Sequence, residues 1–325
     1  MIFSKLALSA AAAMMASSTG VSAKGSEPGA GGNIRNCGTP QMTPEQVHNY
    51  NTLAMQSMNK LNYLKANAQK SGGVSTQKVE IEDLQEKEIK VYVHVLANGT
   101  KVEDGYLEES QIHEQISVLN ADFASAKFSF HLQNISYSIN SSWAVGEDEE
   151  GFKSHLRKGE YTDLNLYFPI TLPESLLGYA YFPLFLSQDQ AFNSPTEGGS
   201  GLDMFTLDGV VIRSDTLPFG KYAPFNLGRT ATHEVGHWFG LDHTFGSGGC
   251  EGKGDMISDT PVEASPAYGC QVGRDTCPNQ PGEDPIHNFM DYSDDACLTE
   301  FSPLQKAYMH SAYETYRQNV YGIKK

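Results

Sequence analysis

The stretch from 233 to 243 combines residue types and spacings that suit a catalytic metal ion. His233 and His237 lie four residues apart, so on a helix their imidazoles differ by about 40° in azimuth and could reach one cation at about 2.0–2.1 Å. Glu234 points to a neighbouring flank, where it could act on water as a general base without entering the ligand shell. The pattern predicts metal-assisted hydrolysis.

Two further positions complete the predicted ligand set. Gly240 follows His237 by three residues, and glycine best tolerates the left-handed backbone that ends a helix sharply. A turn there would bring His243 back as a third ligand, which leaves a coordination position open for water and substrate, as in catalytic zinc sites. The alternative is a helix with surface histidines. With 31 glycines and 10 histidines among 325 residues, finding both at these positions is about 300-fold less expected by chance.

Periodicity along the rest of the chain predicts the elements that position this stretch. Helical patterns cover residues 44–69, 108–123, 227–241 and 302–320, and strand patterns cover 88–97, 127–140, 164–170, 178–182 and 208–213. Their order predicts an α/β (α+β) fold, in which a mixed, mostly parallel twisted sheet supports the active-site helix. The stretch 246–285 is rich in Gly, Pro, Asp and Cys and shows little periodicity, so an irregular C-terminal subdomain is expected before the last helix.

Composition excludes several classes of partner. The formal net charge is -16, which argues against nucleic-acid binding and against docking on an anionic membrane surface. After the N-terminus, the sequence has no apolar run of the roughly 18 to 20 residues that a transmembrane helix needs. We expect a soluble protein, and nothing in the sequence demands an oligomer, so a monomer is expected.

The N-terminus predicts export. Residues 1–23 have one positive charge, a short apolar run and a small-residue cleavage site, as in a secretory signal peptide. An oxidising compartment agrees with five cysteines, of which four lie in the last quarter of the chain and allow three pairings. Three N-x-S/T sequons are candidate glycosylation sites in a eukaryotic host: Asn98, Asn134 and Asn140.

Several motifs together resemble one family of metalloproteases. His-Glu-x-x-His-x-x-Gly-x-x-His is similar to the metzincin consensus, and residues 288–292 are similar to the metzincin Met-turn, with Met290 as its methionine. Together with residues 228–233 and 259–261, these motifs resemble the pappalysin family, and most of all its fungal extracellular metalloproteases. The resemblance runs from about Glu88 to Tyr316.

The resemblance implies a secreted zinc endopeptidase that acts on extracellular proteins or peptides. Glu234 would activate water at the zinc, and Tyr292 would stabilise the oxyanion, unless its hydroxyl merely bonds a backbone carbonyl. Residues 178–182 would form the sheet edge on which substrate lies as an added antiparallel strand. Two other readings remain open: a catalytically silent zinc-binding adhesin or decoy, and a hydrolase of a non-peptide amide.

The fifth cysteine suggests latency. Arg35-Asn-Cys-Gly-Thr-Pro40 is similar to the cysteine switch of matrix metalloproteinases, in which a propeptide thiolate blocks the zinc. We therefore expect a pro-segment at 24–85, with Cys37 as a zinc ligand in the latent state, and a catalytic domain at 86–325. The alternative is an unpaired or intermolecular cysteine in a flexible tail.

The family resemblance also implies how the irregular subdomain is held. It implies the disulfides Cys250–Cys277 and Cys270–Cys297. Related pappalysins have structural calcium in this region, so Asp255, Asp259 and Asp275 are candidate calcium ligands, although Asp also favours turns.

The acidic residues after the Met-turn suggest a specificity. Asp294 and Asp295 are expected near the wall of the pocket for the residue that follows the scissile bond. An acidic residue there could favour Arg or Lys in the substrate.

Overall fold

The computed structural model describes residues 33–70, 84–183, 204–246 and 248–318. The predicted signal peptide at 1–23 lies outside the described residues. None of the helices within them is both long enough and apolar enough to cross a membrane.

A five-stranded sheet forms one layer of the fold. Its strands are β1 (Lys87–Ala97), β2 (Phe128–Ile139), β3 (Leu164–Pro169), β4 (Gly178–Ala180) and β5 (Val210–Ile212). Their order is β2-β1-β3-β5-β4, with all neighbours parallel except the antiparallel pair β4 and β5. The expected mixed, mostly parallel sheet is confirmed, and β4 lies at its edge.

Helices and short turns connect and cover the strands. The α-helices are α1 (Pro44–Lys70), α2 (Glu109–Phe123), α3 (Ser141–Ala144), α4 (Glu149–Leu156), α5 (Met204–Leu207), α6 (Arg229–Trp238) and α7 (Pro303–Ala312). The predicted last helix ends as an α-helix at Ala312 and continues as a π-helix over Tyr313–Gln318.

The core forms where the apolar faces of sheet and helices meet. In β1 the alternating side chains of Ile89, Val91, Val93 and Val95 are fully buried, as the sequence pattern predicted. They share one core cluster with the apolar face of α2 and with Val235 of α6. The sheet thereby fixes α6, the helix with the metal-ligand motif, to its surface.

Polar contacts also set the position of α6. The amide nitrogen of Gln115 in α2 donates to the carbonyl of Gly228, just before α6 begins. Thr232 of α6 donates to Asp122 of α2. Gly228 has a φ of 85°, which glycine adopts at little cost and which turns the chain into the helix. The N-terminal half of α6 is therefore anchored on α2.

The segment from 241 to 301 is irregular and covalently stapled. Disulfides join Cys250 to Cys277 and Cys270 to Cys297, which are the two pairs that the family resemblance implied. The segment ends at α7, which begins with a capping box between Ser302 and Gln305.

The N-terminal segment packs on both of these parts. Tyr50 and Leu53 of α1 are buried, and the Tyr50 ring lies 4.6 Å from the ring of Tyr308 in α7. Upstream of α1, residues 36–38 hydrogen-bond to the free edge of β4: the Leu177 N–H donates to the Asn36 carbonyl, and the Gly38 N–H donates to the Gly178 carbonyl.

Candidate metal centre

Three histidines converge where α6 ends. His233 and His237 project from the same face of α6, and Gly240, with a φ of 98°, turns the chain so that His243 returns to them. The three Nε2 atoms form a nearly equilateral triangle with sides of 3.2, 3.1 and 3.2 Å. The structure thus brings together the three residues that the spacing selected.

The hydrogen bonds behind the triangle fix the imidazole tautomers. Nδ1 of His233 lies 2.7 Å from the carbonyl oxygen of Phe289, and Nδ1 of His237 lies 2.7 Å from that of Leu241. Because a carbonyl only accepts, each Nδ1 carries the proton and each Nε2 keeps its lone pair. Tetrahedral zinc with nitrogen ligands at about 2.0–2.1 Å separates those nitrogens by about 3.3 Å. The donor set therefore fits a zinc ion.

Burial keeps the histidines in the neutral form that ligation requires. Desolvation lowers the pKa of His237 to about 4. The pKa values of His233 and His243 are also lowered, first by burial and then by the neighbouring histidines. Neutral imidazoles are ready to bind a cation without first losing a proton.

The Met-turn lies directly beneath the ligands. A Cβ on Gly236 would overlap Sδ of Met290, so glycine in the fourth position of the motif lets the methionine pack against α6. Met290 is fully buried, and its carbonyl accepts the N–H of Thr244, just after His243. Met290 therefore supports both the helix and the turn to the third ligand.

Glu234 lies beside the triangle, almost fully buried. Its Oε2 accepts from the Thr39 hydroxyl at 3.2 Å and lies 3.3 Å from Sγ of Cys37. Burial raises the pKa of Glu234 to about 8, and hydrogen bonds from Cys37 and Thr39 oppose that rise. On its other side Glu234 touches β4, where a Cβ on Gly178 would come within 2.7 Å of Cγ. Glycine at 178 is what allows the carboxylate to fit between helix and strand.

Cys37 lies at the metal-ligand cluster. Its Sγ and one ring nitrogen from each of the three histidines lie within 4.8 Å of one another. Burial and the Glu234 carboxylate raise the pKa of this thiol. The main chain at Cys37 pairs in parallel with Gly178 of β4. In this structure Cys37 does not lie in a free tail.

Tyr292 faces the same space. Its hydroxyl accepts a hydrogen bond from the Cys37 N–H at 3.1 Å, and its ring packs 4.7 Å from the ring of Phe245. The ring centroid lies 5.2 Å from that of His243. The hydroxyl thus faces the metal-ligand cluster.

A buried acidic pocket adjoins the site. Asp295 is 1% exposed, and one of its oxygens forms an ion pair with the equally buried guanidinium of Arg35. Its other oxygen accepts the N–H groups of Leu227 and Arg229. The Arg35 guanidinium also lies 5.0 Å from the centre of the Phe225 ring. Asp294, the other acidic candidate, is only half-buried and forms no such ion pair with any residue that the structure describes.

The structure does not support calcium at the three candidate aspartates. Asp255 is buried and accepts from the Ile257 N–H and the Thr260 hydroxyl. Asp259 instead caps α7, where it accepts from the Ser302 hydroxyl and the Leu304 N–H. Among the described residues, neither belongs to a cluster of three or more potential metal ligands. Asp275 accepts the N–H of Cys277, so each of the three carboxylates accepts hydrogen bonds from neighbouring donors, as Asp commonly does in turns and caps.

One arginine lies among the acidic side chains of the irregular segment. Arg274 is paired with Glu263 and with Asp284, and it also donates to the backbone carbonyls of Ser265 and Pro266. Sequence reasoning missed this residue because no local pattern shows which carboxylates surround it.

Sequence reasoning also missed Arg35 and Thr39 as neighbours of the site. Arg35 and Asp295 are 260 residues apart, and Thr39 and Glu234 are 195 apart. The Arg35–Pro40 motif was a usable signal, since both residues flank the cysteine that the motif highlights.

The three sequons are all reachable from solvent. Asn98 and Asn134 are exposed, and Asn140 is partly exposed, while its side-chain oxygen caps α3. Their glycosylation remains a prediction.

Comparison with known proteins places this geometry among metalloproteases. The family model of peptidase M43, described as pregnancy-associated plasma protein-A, matches residues 219–314. An extracellular metalloprotease of Verticillium alfalfae is 45% identical over 282 residues, which cover 86% of this chain and 89% of the relative. One of Colletotrichum graminicola is 43% identical and covers 87% of this chain and 91% of its own length.

Solved structures show the same similarity. Mirolysin in complex with compound 9 is 31% identical, with a TM-score of 0.58, and covers 71% of this chain and 93% of its own. A promirolysin mutant from Tannerella forsythia is 28% identical, with a TM-score of 0.59, and covers 87% of this chain and 95% of its own.

Proposed function

Because the chain belongs to the pappalysin family of metalloproteases, we propose that it is a secreted, zinc-dependent endopeptidase that hydrolyses extracellular proteins or peptides. The observation that carries this proposal is the triangle of Nε2 atoms from His233, His237 and His243, with the Glu234 carboxylate beside it. A purely structural zinc site would not need a buried carboxylate next to its ligands.

The three histidines would hold the zinc through Nε2, with the Nδ1 protons of His233 and His237 held by backbone carbonyls. A zinc ion bound there supplies Lewis acidity toward water and toward a substrate carbonyl. Proton transfer and charge stabilisation would come from Glu234 and Tyr292.

Glu234 would act first as the general base and then as the general acid. Its Oε2, which in this structure contacts Cys37 and Thr39, accepts a proton from the attacking water and returns it to the leaving amine. Its burial excludes bulk water, which would otherwise compete for that proton. A carboxylate whose pKa is raised by burial is a stronger base than an exposed one.

Tyr292 would stabilise charge on the substrate. Its hydroxyl, now an acceptor for the Cys37 N–H, can rotate its proton outward and donate to the developing oxyanion. Support comes from its ring, which packs edge-on against the stacked rings of His243 and Phe245, and from its hydroxyl, which reaches the main chain at Cys37 beside the ligands.

Substrate would bind as an extended strand along β4. That edge accepts main-chain partners, since residues 36–38 already exchange hydrogen bonds with it. Those residues run parallel to β4, whereas the substrate is expected to run antiparallel. A strand can pass through such a cleft on both sides of the metal, which suits an endopeptidase.

The acidic pocket would select a basic residue after the scissile bond. Asp295 offers a buried carboxylate beside the Phe225 ring, and Arg35 shows that a guanidinium fits there. We therefore expect a preference for Arg or Lys at that position of the substrate.

Residues 24–85 would form a pro-segment that keeps the enzyme latent. Cys37 would supply a sulfur ligand to the zinc, while Arg35 fills the acidic pocket. The coverage of solved structures supports this division: the pro-form neighbour covers 87% of this chain, and mature mirolysin covers 72%. Removal of the segment would open the cleft.

Secretion is supported by several features together. The curated relatives are named extracellular metalloproteases, and the two disulfides suit an oxidising compartment. The predicted signal peptide at 1–23 and the reachable sequons agree with export.

The test is cleavage of casein by the processed enzyme, with and without a zinc chelator, together with metal analysis. We expect one zinc per chain, and we expect casein cleavage that the chelator abolishes and added zinc restores. A processed protein that retains zinc but cleaves neither casein nor a peptide library would favour the silent adhesin or decoy. In Glu234→Ala, zinc should remain and cleavage should be lost.

A further inference from the structure

A lysine is buried behind the edge strand. The side chain of Lys153 in α4 has no exposed surface. Its ammonium donates to the carbonyl of Leu207 at 2.6 Å and lies 2.7 Å from Oε1 of Glu149. A buried ammonium is costly unless it is paired, so these contacts are tightly constrained. Leu207 ends α5 and lies three residues before β5, so Lys153 ties α4 to the start of that strand.

Three tyrosine rings surround the same ammonium. It lies 4.7 Å from the ring centre of Tyr181, 5.4 Å from that of Tyr179 and 5.7 Å from that of Tyr167. Tyr167 belongs to β3, whereas Tyr179 lies in β4 and Tyr181 directly follows it. The Tyr181 hydroxyl also donates to Oε2 of Glu149 at 3.1 Å. Cation–π attraction and this hydrogen bond hold the edge strand to α4.

The strand alternation links these contacts to the catalytic side. Residues two apart on a strand share a face, so Tyr179 and Tyr181 point to α4, while Gly178 and Ala180 face the other way. On that other face, Gly178 lies directly against Glu234. Since the gap is too small for a Cβ, a displacement of β4 would change the space between the strand and the general base.

We propose that Lys153, together with Glu149, is a positioning pair that holds β4 where an extended substrate backbone can hydrogen-bond to it. The pair does not touch the reacting atoms and acts through Tyr179 and Tyr181. This inference rests on the proposed function, because it assumes that a peptide substrate lies along β4.

The test compares substrate discrimination rather than activity alone. Two peptides of the same sequence are used. One of them is N-methylated at a single backbone amide on the N-terminal side of the scissile bond. The position chosen is the one at which methylation most reduces cleavage by the wild type. Loss of one main-chain hydrogen bond should lower kcat/KM of the wild type by about tenfold. The variant Lys153→Met keeps the length and apolar stem of the side chain but removes the charge, and Lys101→Met removes a lysine of an exposed pair as a control.

We expect Lys153→Met to raise KM for the unmethylated peptide by about tenfold and to leave kcat within about threefold. Its discrimination between the two peptides should fall to about twofold or less, at unchanged zinc content. Lys101→Met should match the wild type. Tyr181→Phe keeps the ring but loses the hydrogen bond to Glu149, so it should reduce the discrimination between the two peptides partially. It replaces Lys153→Met in the test if that variant does not fold.

Wild-type discrimination retained in Lys153→Met, or in Tyr181→Phe if the first variant is unfolded, would overturn the positioning role and leave the proposed function intact. No cleavage of either peptide by the processed wild type would overturn the proposed function, and the positioning role with it.

Discussion

Residues 87–238 and residues 239–301 contribute to the same metal centre, but different forces hold them. The first region is a hydrogen-bonded sheet with helices on an apolar core, and it supplies His233, Glu234 and His237. The second supplies His243, Met290 and Tyr292. Its described residues have one isolated strand pair, and it is held by two disulfides, by hydrogen bonds of turns and side chains, and by apolar contacts of Phe289 and Met290 with the core.

The difference shows how an irregular segment can hold site residues in position as well as a helix does. In α6, the spacing of the backbone alone puts two ligands on one face. After Gly240, each site residue needs its own anchor: the Met290 carbonyl binds the Thr244 N–H, and the Phe289 carbonyl binds His233. The stability of the first region should therefore depend mainly on apolar packing, whereas that of the second should depend also on covalent and ionic restraints.

The largest expected effect is on kcat/KM, and it compares one site residue from each region. Glu234→Gln should lower kcat/KM of the processed enzyme by about 10⁴-fold, because the proton acceptor is lost. Tyr292→Phe, in the irregular region, should lower it by only about 10²-fold, because it removes one hydrogen-bond donor to the oxyanion. Both should keep zinc and thermal stability, as measured by metal analysis and calorimetry. Equal losses in the two variants would contradict the division of roles.

Removing a disulfide tests how the irregular region is held. Each bridge joins cysteines 27 residues apart, so replacing Cys270 and Cys297 with alanine should lower the free energy of unfolding by about 3.5 kcal/mol. In the sheet, Leu166→Ala should cost about 3 kcal/mol through a cavity instead. Urea unfolding with and without a reductant distinguishes the two.

Reductant should destabilise Leu166→Ala and the wild type, but it should have a smaller effect on the disulfide variant, which has one bridge fewer to lose. A disulfide variant as stable as the wild type would show that the irregular region does not depend on that bridge.

The pH dependence that one buried histidine contributes probes the sheet region. His94 in β1 is buried between Ser136 and Asn165, and desolvation lowers its pKa from 6.5 to about 4. Its neutral form therefore stabilises the fold fully above pH 6.5. As the pH falls from 6.5 to 4, the unfolded chain gains a proton that the folded chain does not, and stability drops by about 3 kcal/mol.

His94→Gln should remove that part of the pH slope, as measured by urea unfolding at pH 7 and pH 4.5. An unchanged slope in the variant would assign the acid sensitivity to other buried groups, such as His310, whose pKa burial also lowers.

The smallest effect concerns an ion pair of the irregular region. Arg274→Gln leaves Asp284 without its buried partner and should lower the free energy of unfolding by about 2 kcal/mol. The loss stays moderate because burial and the nearby Asp291 raise the pKa of Glu263, so that carboxyl takes up a proton more readily than an exposed one. Thermal unfolding measures the loss, and the exposed pair variant Lys101→Met should show none.

The two regions also differ in how far the sequence predicts them. Alternation in β1 and the histidine spacing in α6 are local patterns, so the strand and the ligand set could be predicted. The positive φ of Gly240 followed from the same motif. The disulfide partners came only from family resemblance, because four cysteines alone allow three pairings.

Contacts between distant residues could not be predicted in this way. The sequence left open that Cys37 lies in a flexible tail, yet residues 36–38 lie on the edge of β4, because a strand edge can pair with any extended chain. The burial of Arg35 against Asp295 and the position of Lys153 behind β4 depend on tertiary packing. The calcium ligands were expected from resemblance, whereas here Asp255 and Asp259 bind neighbouring donors.

X-ray absorption at the zinc edge tests the central claim most directly. On the secreted, unprocessed chain we expect one zinc with three imidazole nitrogens and one sulfur ligand, and the sulfur should be replaced by oxygen after the pro-segment is removed. A protein that binds no zinc, or binds it with fewer than three imidazoles, would contradict the assignment of His233, His237 and His243.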